Sequence, residues 1–493
     1  MYTLRQKIGF FAGPILALFV GFLPPSAGLS AAGVKVAAVA TLMVIWWITE
    51  AVPIPATALL PTALFPILGI MSAKESCAPY AHHLIFLFLG GFMIAIAMEK
   101  WNLHRRIALH TIRFVGFSSN RIILGFMVAT AFLSMWISNT ATTMMMVPIG
   151  LAVLNETIDF IEHNKDLNID TRPTRFKFGL ALMLGIAYAA SIGGVATIIG
   201  TPPNTILAGF IEQTYHVPVS FVQWMLFGVP LSVIMLALTW YYLVKFAAPP
   251  EIKRLPGGKA LLEKQIKNLG KMQKAERWVL IVFGIVVFLW ISHGFIPGMP
   301  KMIKDSTIAM SGAAILFMIP VDWQKGIFVL DWKSATRLPW DVIFLFGGGL
   351  ALAKGFEVSG LSKWIGMQLV SLQSLNILLI ILIVVILSIA LTEVTSNTAT
   401  AAMLIPVVAG VAMAIHIHPF ILIIAATISA SLAFMLPVAT PPNAIVFGTH
   451  YMTIPQMAKI GLILDLIMTV LVTLMIKFIL PLIWNLNATH ILK

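Results

Sequence analysis

The chain has 493 residues, of which 59% are hydrophobic and only 10% charged, a balance that excludes a soluble globular domain and places most of the mass in lipid. The formal charge of +13 does not point to nucleic acid, because an excess of Lys and Arg is what the cytoplasmic loops of a membrane protein carry. A single cysteine, Cys77, excludes an internal disulfide and a cysteine-rich metal site.

Residues 1–30 hold a first apolar span near 8–24, preceded by Arg5 and Lys7. No small-residue cleavage site follows it, so it is expected to remain as a span rather than be removed as a signal peptide. Further spans of roughly 20 apolar residues are expected near 31–50, 56–71, 83–100, 178–211, 224–246, 278–296, 306–320, 340–369, 419–448 and 458–484. The expectation is an all-α polytopic membrane protein of about 11 transmembrane helices. Two more apolar stretches, 121–154 and 374–415, each carry Ser-Asn-Thr near the middle. Each is expected to form a re-entrant hairpin with the tripeptide at its tip, since polar backbone survives at that depth only inside protein or against a water-filled cavity.

Loop charges set the orientation. With the N-terminus cytoplasmic, three basic groups fall on that side: Arg105, Arg106, Arg113 and Arg121; then Lys165, Arg172, Arg175 and Lys177; then residues 247–277 with Lys253, Arg254, Lys259, Lys264, Lys267, Lys271, Lys274 and Arg277. The opposite loops 23–30 and 212–223 contain no Lys or Arg, and Lys301 and Lys304 are the exceptions. Segment 247–277, with Pro249-Pro250 and Pro256-Gly257-Gly258, reads as a cytoplasmic linker.

The chain repeats itself. Ser138-Asn139-Thr140-Ala141-Thr142 returns as Ser396-Asn397-Thr398-Ala399-Thr400 at an offset of 396 − 138 = 258, and the same offset carries Phe88-Leu89-Gly90-Gly91 onto Phe346-Gly347-Gly348-Gly349. A hydroxyl, Ser134 or Thr392, stands four residues ahead of each tripeptide, on the same helical face. Thr201-Pro202-Pro203-Asn204 returns as Thr440-Pro441-Pro442-Asn443 at 440 − 201 = 239, and a charged insertion at 159–177 accounts for the shortfall of 258 − 239 = 19. One copy is therefore 31–246, with hairpin 121–154 and broken helix 178–211; the other is 278–493, with hairpin 374–415 and broken helix 419–448. Five spans and a hairpin per copy make the second insert upside down, the inverted repeat of many secondary transporters, whose substrate lies near the midplane at broken helices.

Thr-Pro-Pro-Asn interrupts a helix, because the second proline forces the first out of the helical region and neither has an N–H. A half-helix can restart at the prolines with Thr201 or Thr440 as cap. The unwound turn then offers free carbonyls to a small cation, and the half-helix its positive end to an anion. Ser-Asn-Thr supplies oxygens for Na+ and hydroxyl and amide donors for a carboxylate. No Lys, Arg or His lies within several residues of the four motifs, so a buried dianion there needs co-bound cations. Single copies would read as polar contacts between helices and an ordinary proline kink; the ordered pair favours ligand sites. The copies differ at Glu393, where the first has Met135, and an interior ion pair or a hydrogen bond to a neighbouring helix is the favoured role over a cation or proton ligand.

These paired motifs, with Ser431-Leu432-Ala433-Phe434-Met435-Leu436-Pro437-Val438-Ala439 leading into the second Thr-Pro-Pro-Asn, resemble the divalent anion:sodium symporter family, the INDY-type dicarboxylate carriers. The resemblance implies a first Na+ site of Ser134, Ser138, Asn139 and the Gly200 carbonyl, and a second of Thr392, Ser396, Asn397 and the Ala439 carbonyl. It implies a dicarboxylate held by Ser138, Asn139 and Thr140 at one end and Ser396, Asn397 and Thr398 at the other, with Thr201, Pro202, Thr440 and Pro441 nearby. It further implies Na+-coupled uptake of succinate, fumarate or malate across the plasma or inner membrane by a homodimer with elevator-type movement. No organic cofactor and no nucleic-acid partner is expected. Sodium-independent exchange of dicarboxylates or 2-oxoglutarate, and carriage of citrate or sulfate, are the alternatives of the same fold. An intramembrane enzyme is not expected, as the chain has neither His-Glu-x-x-His nor Gly-x-Ser-x-Gly.

Overall fold

The computed structural model describes residues 2–25, 28–163, 169–252, 258–296, 300, 302–369 and 373–486. Lys165, Lys253, Arg254, Pro256, Gly257, Lys301 and the side chain of Lys259, on which parts of the loop reading rest, lie outside the described residues.

The first half runs α1 (Leu4–Gly21), α2 (Ala31–Thr49), α3 (Ile54–Ala58), α4 (Leu60–Ile67), α5 (Ala73–Cys77), α6 (His83–Lys100), α7 (Leu103–Val115), α8 (Ser119–Ser134), α9 (Asn139–His163), α10 (Lys177–Val195), α11 (Pro202–Tyr215) and α12 (Phe221–Tyr242). The linker contributes α13 (Gly258–Asn268). The second half runs α14 (Lys274–Ser292), α15 (Asp305–Met318), β1 (Pro320–Asp322), β2 (Ile327–Phe328), α16 (Trp332–Ala335), α17 (Trp340–Ser359) and α18 (Leu361–Gln368). It closes with α19 (Ile377–Thr392), α20 (Asn397–Ala414), α21 (Pro419–Ser429), α22 (Pro441–Phe447), α23 (Ile454–Leu474) and α24 (Leu480–Trp484). Among the described residues, ten helical stretches are long and apolar enough to cross a membrane.

At both Ser-Asn-Thr stretches two helices meet at a short turn, and the second arm of the first pair, α9, runs on to His163, past the expected 154. Arms α8 and α9 meet at 135–138, and arms α19 and α20 at 393–396. Both Thr-Pro-Pro-Asn spans are broken, α10 from α11 across 196–201 and α21 from α22 across 430–440. Other expectations need correction. The span near 56–71 is two short helices split at Leu59, because prolines at 53, 55 and 61 favour helix starts rather than one continuous helix. The stretch at 340–369 is likewise divided, at Gly360, whose φ of +74° ends α17 and opens α18. The span near 306–320 stops at Met318 and gives way to a small antiparallel hairpin, in which Asp322 Oδ1 accepts the N–H groups of Gln324 and Lys325 at 3.1 Å each.

Apolar pattern places the layers. Every residue of α10 from Phe178 to Val195 is buried, as is all of α21, so the first halves of the two broken helices form the centre. The most apolar windows of α1 and α14 are only 17% and 22% buried, leaving their side chains to face outward. Packing also crosses the repeat: α11 lies on α20, and α22 lies on α9 and α10, so each restarted half-helix rests against the other copy. Helices α12 and α23 begin alike, with Ser220 accepting the Gln223 N–H and Thr453 the Gln456 N–H, and both run into a π-helical turn, Leu243–Ala247 and Met475–Ile479.

Candidate functional site

Two oxygen clusters stand where the hairpins meet the broken helices. Ser134 ends α8 and Asn139 opens α9, which places the Ser134 Oγ 2.6 Å from Asn139 Oδ1 and 2.7 Å from the Ala190 carbonyl oxygen. In the other copy Thr392 Oγ1 is 2.7 Å from Asn397 Oδ1 and 2.6 Å from the Ala430 carbonyl. A hydroxyl has one hydrogen, so it satisfies one of its two acceptors and leaves the other oxygen facing oxygen. Three oxygens with a single proton between them form a donor set matched to a hard cation.

The unwound stretches bring further carbonyls to these clusters. A Cβ on Gly194 would lie 2.6 Å from Asn139 Oδ1 and 3.1 Å from the Gly200 oxygen, and one on Gly200 only 2.5 Å from the Gly194 oxygen. Glycine at both places is what lets the Asn139 amide and the Gly200 carbonyl approach each other. Ser134, Asn139 and Gly200 are thus brought together, while Ser138, at the tip, uses its Oγ to accept the Ala141 N–H at 3.3 Å. In the second copy Thr392 and Asn397 share a cluster, Ser396 belongs to the same tip, and the buried Ala439 closes the unwound stretch.

Sequence reasoning missed how those stretches are held. The Nδ2 of Asn204 donates to the carbonyls of Gly194 and Thr197 at 3.0 and 2.7 Å, and that of Asn443 to Ala433 and Leu436 at 3.0 Å each. The partners lie at matched separations, 204 − 194 = 443 − 433 = 10 and 204 − 197 = 443 − 436 = 7, so the asparagine of each motif staples its own unwound turn. Its invariance between the copies was the available signal. Capping is unequal: Thr440 Oγ1 accepts the Asn443 N–H at 3.4 Å, whereas Thr201 makes no side-chain cap. The two prolines remove the donors of the first turn, and the remaining Asn204 N–H goes instead to the Thr201 carbonyl at 3.2 Å.

Exposure sorts the proposed anion contacts. Ser138, Asn139, Thr140, Pro202, Ser396 and Asn397 are half-buried, Pro441 is exposed, and Thr201, Thr398 and Thr440 are buried. Among the described residues no ion pair involves the four motifs. One positive charge nevertheless reaches a tip from far away in sequence. Arg5 Nη1 donates to the Val394 carbonyl at 3.2 Å while its Nη2 stands 3.5 Å from Glu50. A narrow cleft beside Pro202, with room for about 10 Å³, is lined by Ile85, Phe88, Thr205, Val342, Ile343 and Phe346. Its one hydroxyl, Thr205 Oγ1, is spent on the Ile198 carbonyl at 2.6 Å, so the cleft offers an anion no donor.

Residues 6–485 match the family described as sodium:sulfate symporter transmembrane region. The chain belongs to this family. It is 44% identical over 494 residues to the sodium-dependent dicarboxylate transporter SdcS of Staphylococcus saprophyticus, an alignment spanning 99% of this chain and 94% of that protein. SdcS of Staphylococcus aureus strain USA300 matches with the same identity and coverage. The fold is shared with two solved structures at 12% identity: Neisseria gonorrhoeae MtrF, TM-score 0.58 over 96% of this chain and 98% of that one, and the Alcanivorax borkumensis YdaH transporter, TM-score 0.58 over 91% and 99%. The protein is a multi-pass membrane transporter, not an enzyme. The oxygen-only clusters at the tips fit that membership, because a symporter for an anion needs cation sites beside its substrate.

Proposed function

We propose that the protein is a secondary active transporter coupling Na+ to the uptake of a C4-dicarboxylate such as succinate, fumarate or malate. The observation that carries this reading is the pair of matched clusters, Ser134–Asn139–Ala190 and Thr392–Asn397–Ala430, crowded with oxygen and free of any cationic side chain. The curated relatives named as sodium-dependent dicarboxylate transporters support it.

In this reading Na+ site 1 uses Ser134, Ser138, Asn139 and the Gly200 carbonyl, and site 2 uses Thr392, Ser396, Asn397 and the Ala439 carbonyl. The carboxylates rest on Ser138, Asn139, Thr140, Ser396, Asn397 and Thr398, with Thr201, Pro202, Thr440 and Pro441 beside them. Two Na+ neutralise the dianion that the bare site would repel, and a third makes transport electrogenic. Sodium orders the hairpin tips and thereby completes the carboxylate site, so each ligand raises the affinity of the other by the same factor. The N-terminus lies on the cytoplasmic side of the plasma or inner membrane, a reading the basic loops support, and the two halves, 31–246 and 278–493, insert with opposite orientation on either side of the linker 247–277. The protein works as a homodimer with elevator-type movement.

Uptake of labelled succinate into proteoliposomes tests the proposal, with the lumen empty or loaded with unlabelled dicarboxylate and an inward gradient of Na+ or of choline. Na+-dependent uptake into empty vesicles, competed by malate and not by citrate or sulfate, is the expected result. Uptake that needs internal dicarboxylate and ignores Na+ makes the protein an exchanger and overturns it.

A further inference from the structure

We propose that a cavity between α7, the hairpin arm α9 and the linker helix α13 is a binding site for a monoanion: one carboxylate or phosphate group carried on a short apolar chain. The cavity contains no residue of the four motifs, and the proposal is independent of the sodium and dicarboxylate assignments above.

The cavity has room for about 250 Å³, whereas a single water needs only about 10–15 Å³. Its two sides differ in chemistry. Met145, Met146 and Ile149 of α9 make one side apolar, and Asn102 and Arg105 at the start of α7, with Gln265 of α13, make the other polar. Unbranched, polarisable methionines adapt to chains of different shape. Helix α13 packs on both α7 and α9, so the linker closes the space between them.

The polar side is positive and uncompensated. Arg105 donates from Nη2 to Gln265 Oε1 at 2.9 Å, yet its Nε is buried without an acceptor among the described residues. No carboxylate among them pairs with it either. Its neighbour Arg106 is committed, with Nε and Nη2 at 2.5 and 3.1 Å from Glu276 and Nη1 at 3.2 Å from the Gly270 carbonyl. Helix α7 begins without a side-chain cap and without an acidic residue in its first turn, so the positive end of its dipole adds to the charge of Arg105. Gln265, having accepted with its oxygen, keeps its NH2 as a further donor. His104 is turned to the Met98 carbonyl, its Nδ1 donating at 3.0 Å. Among the described residues no Asp or Glu lines the cavity. A guanidinium in this condition is a receptor for a carboxylate or phosphate, which it meets with charge-assisted hydrogen bonds.

A single cationic side chain sets the ligand's charge. A dicarboxylate would lay its second charge on Met145, Met146 and Ile149, where nothing donates to it, while methylene groups gain by leaving water for the same wall. The cavity therefore selects against the dianions expected at the hairpin tips. It also joins distant parts of the chain: Arg105 and Gln265 are 160 residues apart, and the arm that faces them begins at Asn139. An acid seated here bridges the linker helix to the first hairpin.

The test is calorimetric titration of the full chain in detergent with hexanoate, in Na+ buffer with and without excess succinate, and native mass spectrometry of the same preparations. Wild type is expected to bind hexanoate with a Kd that succinate changes by less than about twofold, and Arg105→Gln to bind it about tenfold or more weakly. Ala152→Phe, which puts a ring into the cavity from α9, is expected to weaken it as much, and Arg105→Lys, which keeps the charge and loses the planar fork, to fall between. A phospholipid retained by wild type and lost from Arg105→Gln assigns the site to an acidic lipid headgroup; hexanoate binding with no such lipid assigns it to a soluble acid. Hexanoate displaced by succinate, equal binding by wild type and Arg105→Gln, or neither hexanoate binding nor an Arg105-dependent lipid in the wild type overturns the proposal. The succinate competition decides on wild-type protein alone should the variants fail to fold.

Discussion

In the first half of the molecule the unwound stretch and the end of α10 before it are held by neutral donors: Thr197 Oγ1 to the Met135 carbonyl, Ser232 Oγ to Ile192 and Trp224 Nε1 to Val195, at 2.5, 2.5 and 2.9 Å. In the second half a single carboxylate, Glu393, grips three successive N–H groups. Yet the groups nearest the tips hardly differ: the hydroxyls of Ser134 and Thr392 each contact the following asparagine's Oδ1 and one carbonyl, of Ala190 or Ala430, and Asn204 and Asn443 donate to carbonyls at matched separations. What the halves hold in common is the oxygen cluster and the staple behind it; what has diverged is the mounting. Chemistry at the tip fixes residue type, whereas a mounting needs only some satisfied contact.

The largest effects should come from the shared staple. Asn204→Ala and Asn443→Ala each strand two buried carbonyls, at about 1–3 kcal/mol per group, so both are expected to lower thermal stability in detergent by about 2–5 kcal/mol and to abolish uptake. A large effect in one half alone would break the equivalence. Next come the glycines. A Cβ on Gly461 would collide with the Phe434 carbonyl and sit 2.6 Å from the Met435 Cα, while one on Gly228 would meet carbonyl oxygens at 2.9 Å. Gly461→Ala is therefore expected to destabilise by about 2–3 kcal/mol and Gly228→Ala by about 1–2, read from the same melting curves.

Smaller shifts sharpen the match at the tips. Ser134→Ala and Thr392→Ala each remove one ligand oxygen and are expected to raise the Na+ half-saturation of uptake about fivefold, the equivalent of about 1 kcal/mol. Thr392→Ser, which keeps the hydroxyl, should restore it. Smallest of all is Arg5→Ala. Its pair with Glu50 is 41% exposed on each side, so its loss is expected to change stability by less than about 1 kcal/mol and uptake by less than about twofold.

Much of this was legible in the sequence because it is written in local chemistry. Hairpin tips, broken helices and the paired clusters follow from Ser-Asn-Thr and Thr-Pro-Pro-Asn, whose backbone consequences need no distant partner. The break at Gly360 and the short helices around Leu59 were missed because apolar pattern is continuous across them and a turn needs only one glycine or a few prolines. The partners of Glu393 were invisible for another reason: the N–H groups it accepts, those of Phe434, Met435 and Leu436, lie 41 to 43 residues further on, and nothing local marks them. Arg5 on Val394 is harder still, a contact between the start of the chain and the second hairpin.

The crossed packing of the half-helices has a consequence in time. Helix α11 begins at Pro202 and the arm α20 on which it rests begins at Asn397, so 397 − 202 = 195 residues separate their synthesis. At translation rates of about 5–20 residues per second, the first half waits roughly 10–40 s in the membrane before its partner surface exists. During that interval the polar tip at Ser138-Asn139-Thr140 has no finished cavity to face. A nascent chain of this design must be sheltered by the insertion machinery or by water until its second half arrives, and the two halves reach their final packing together.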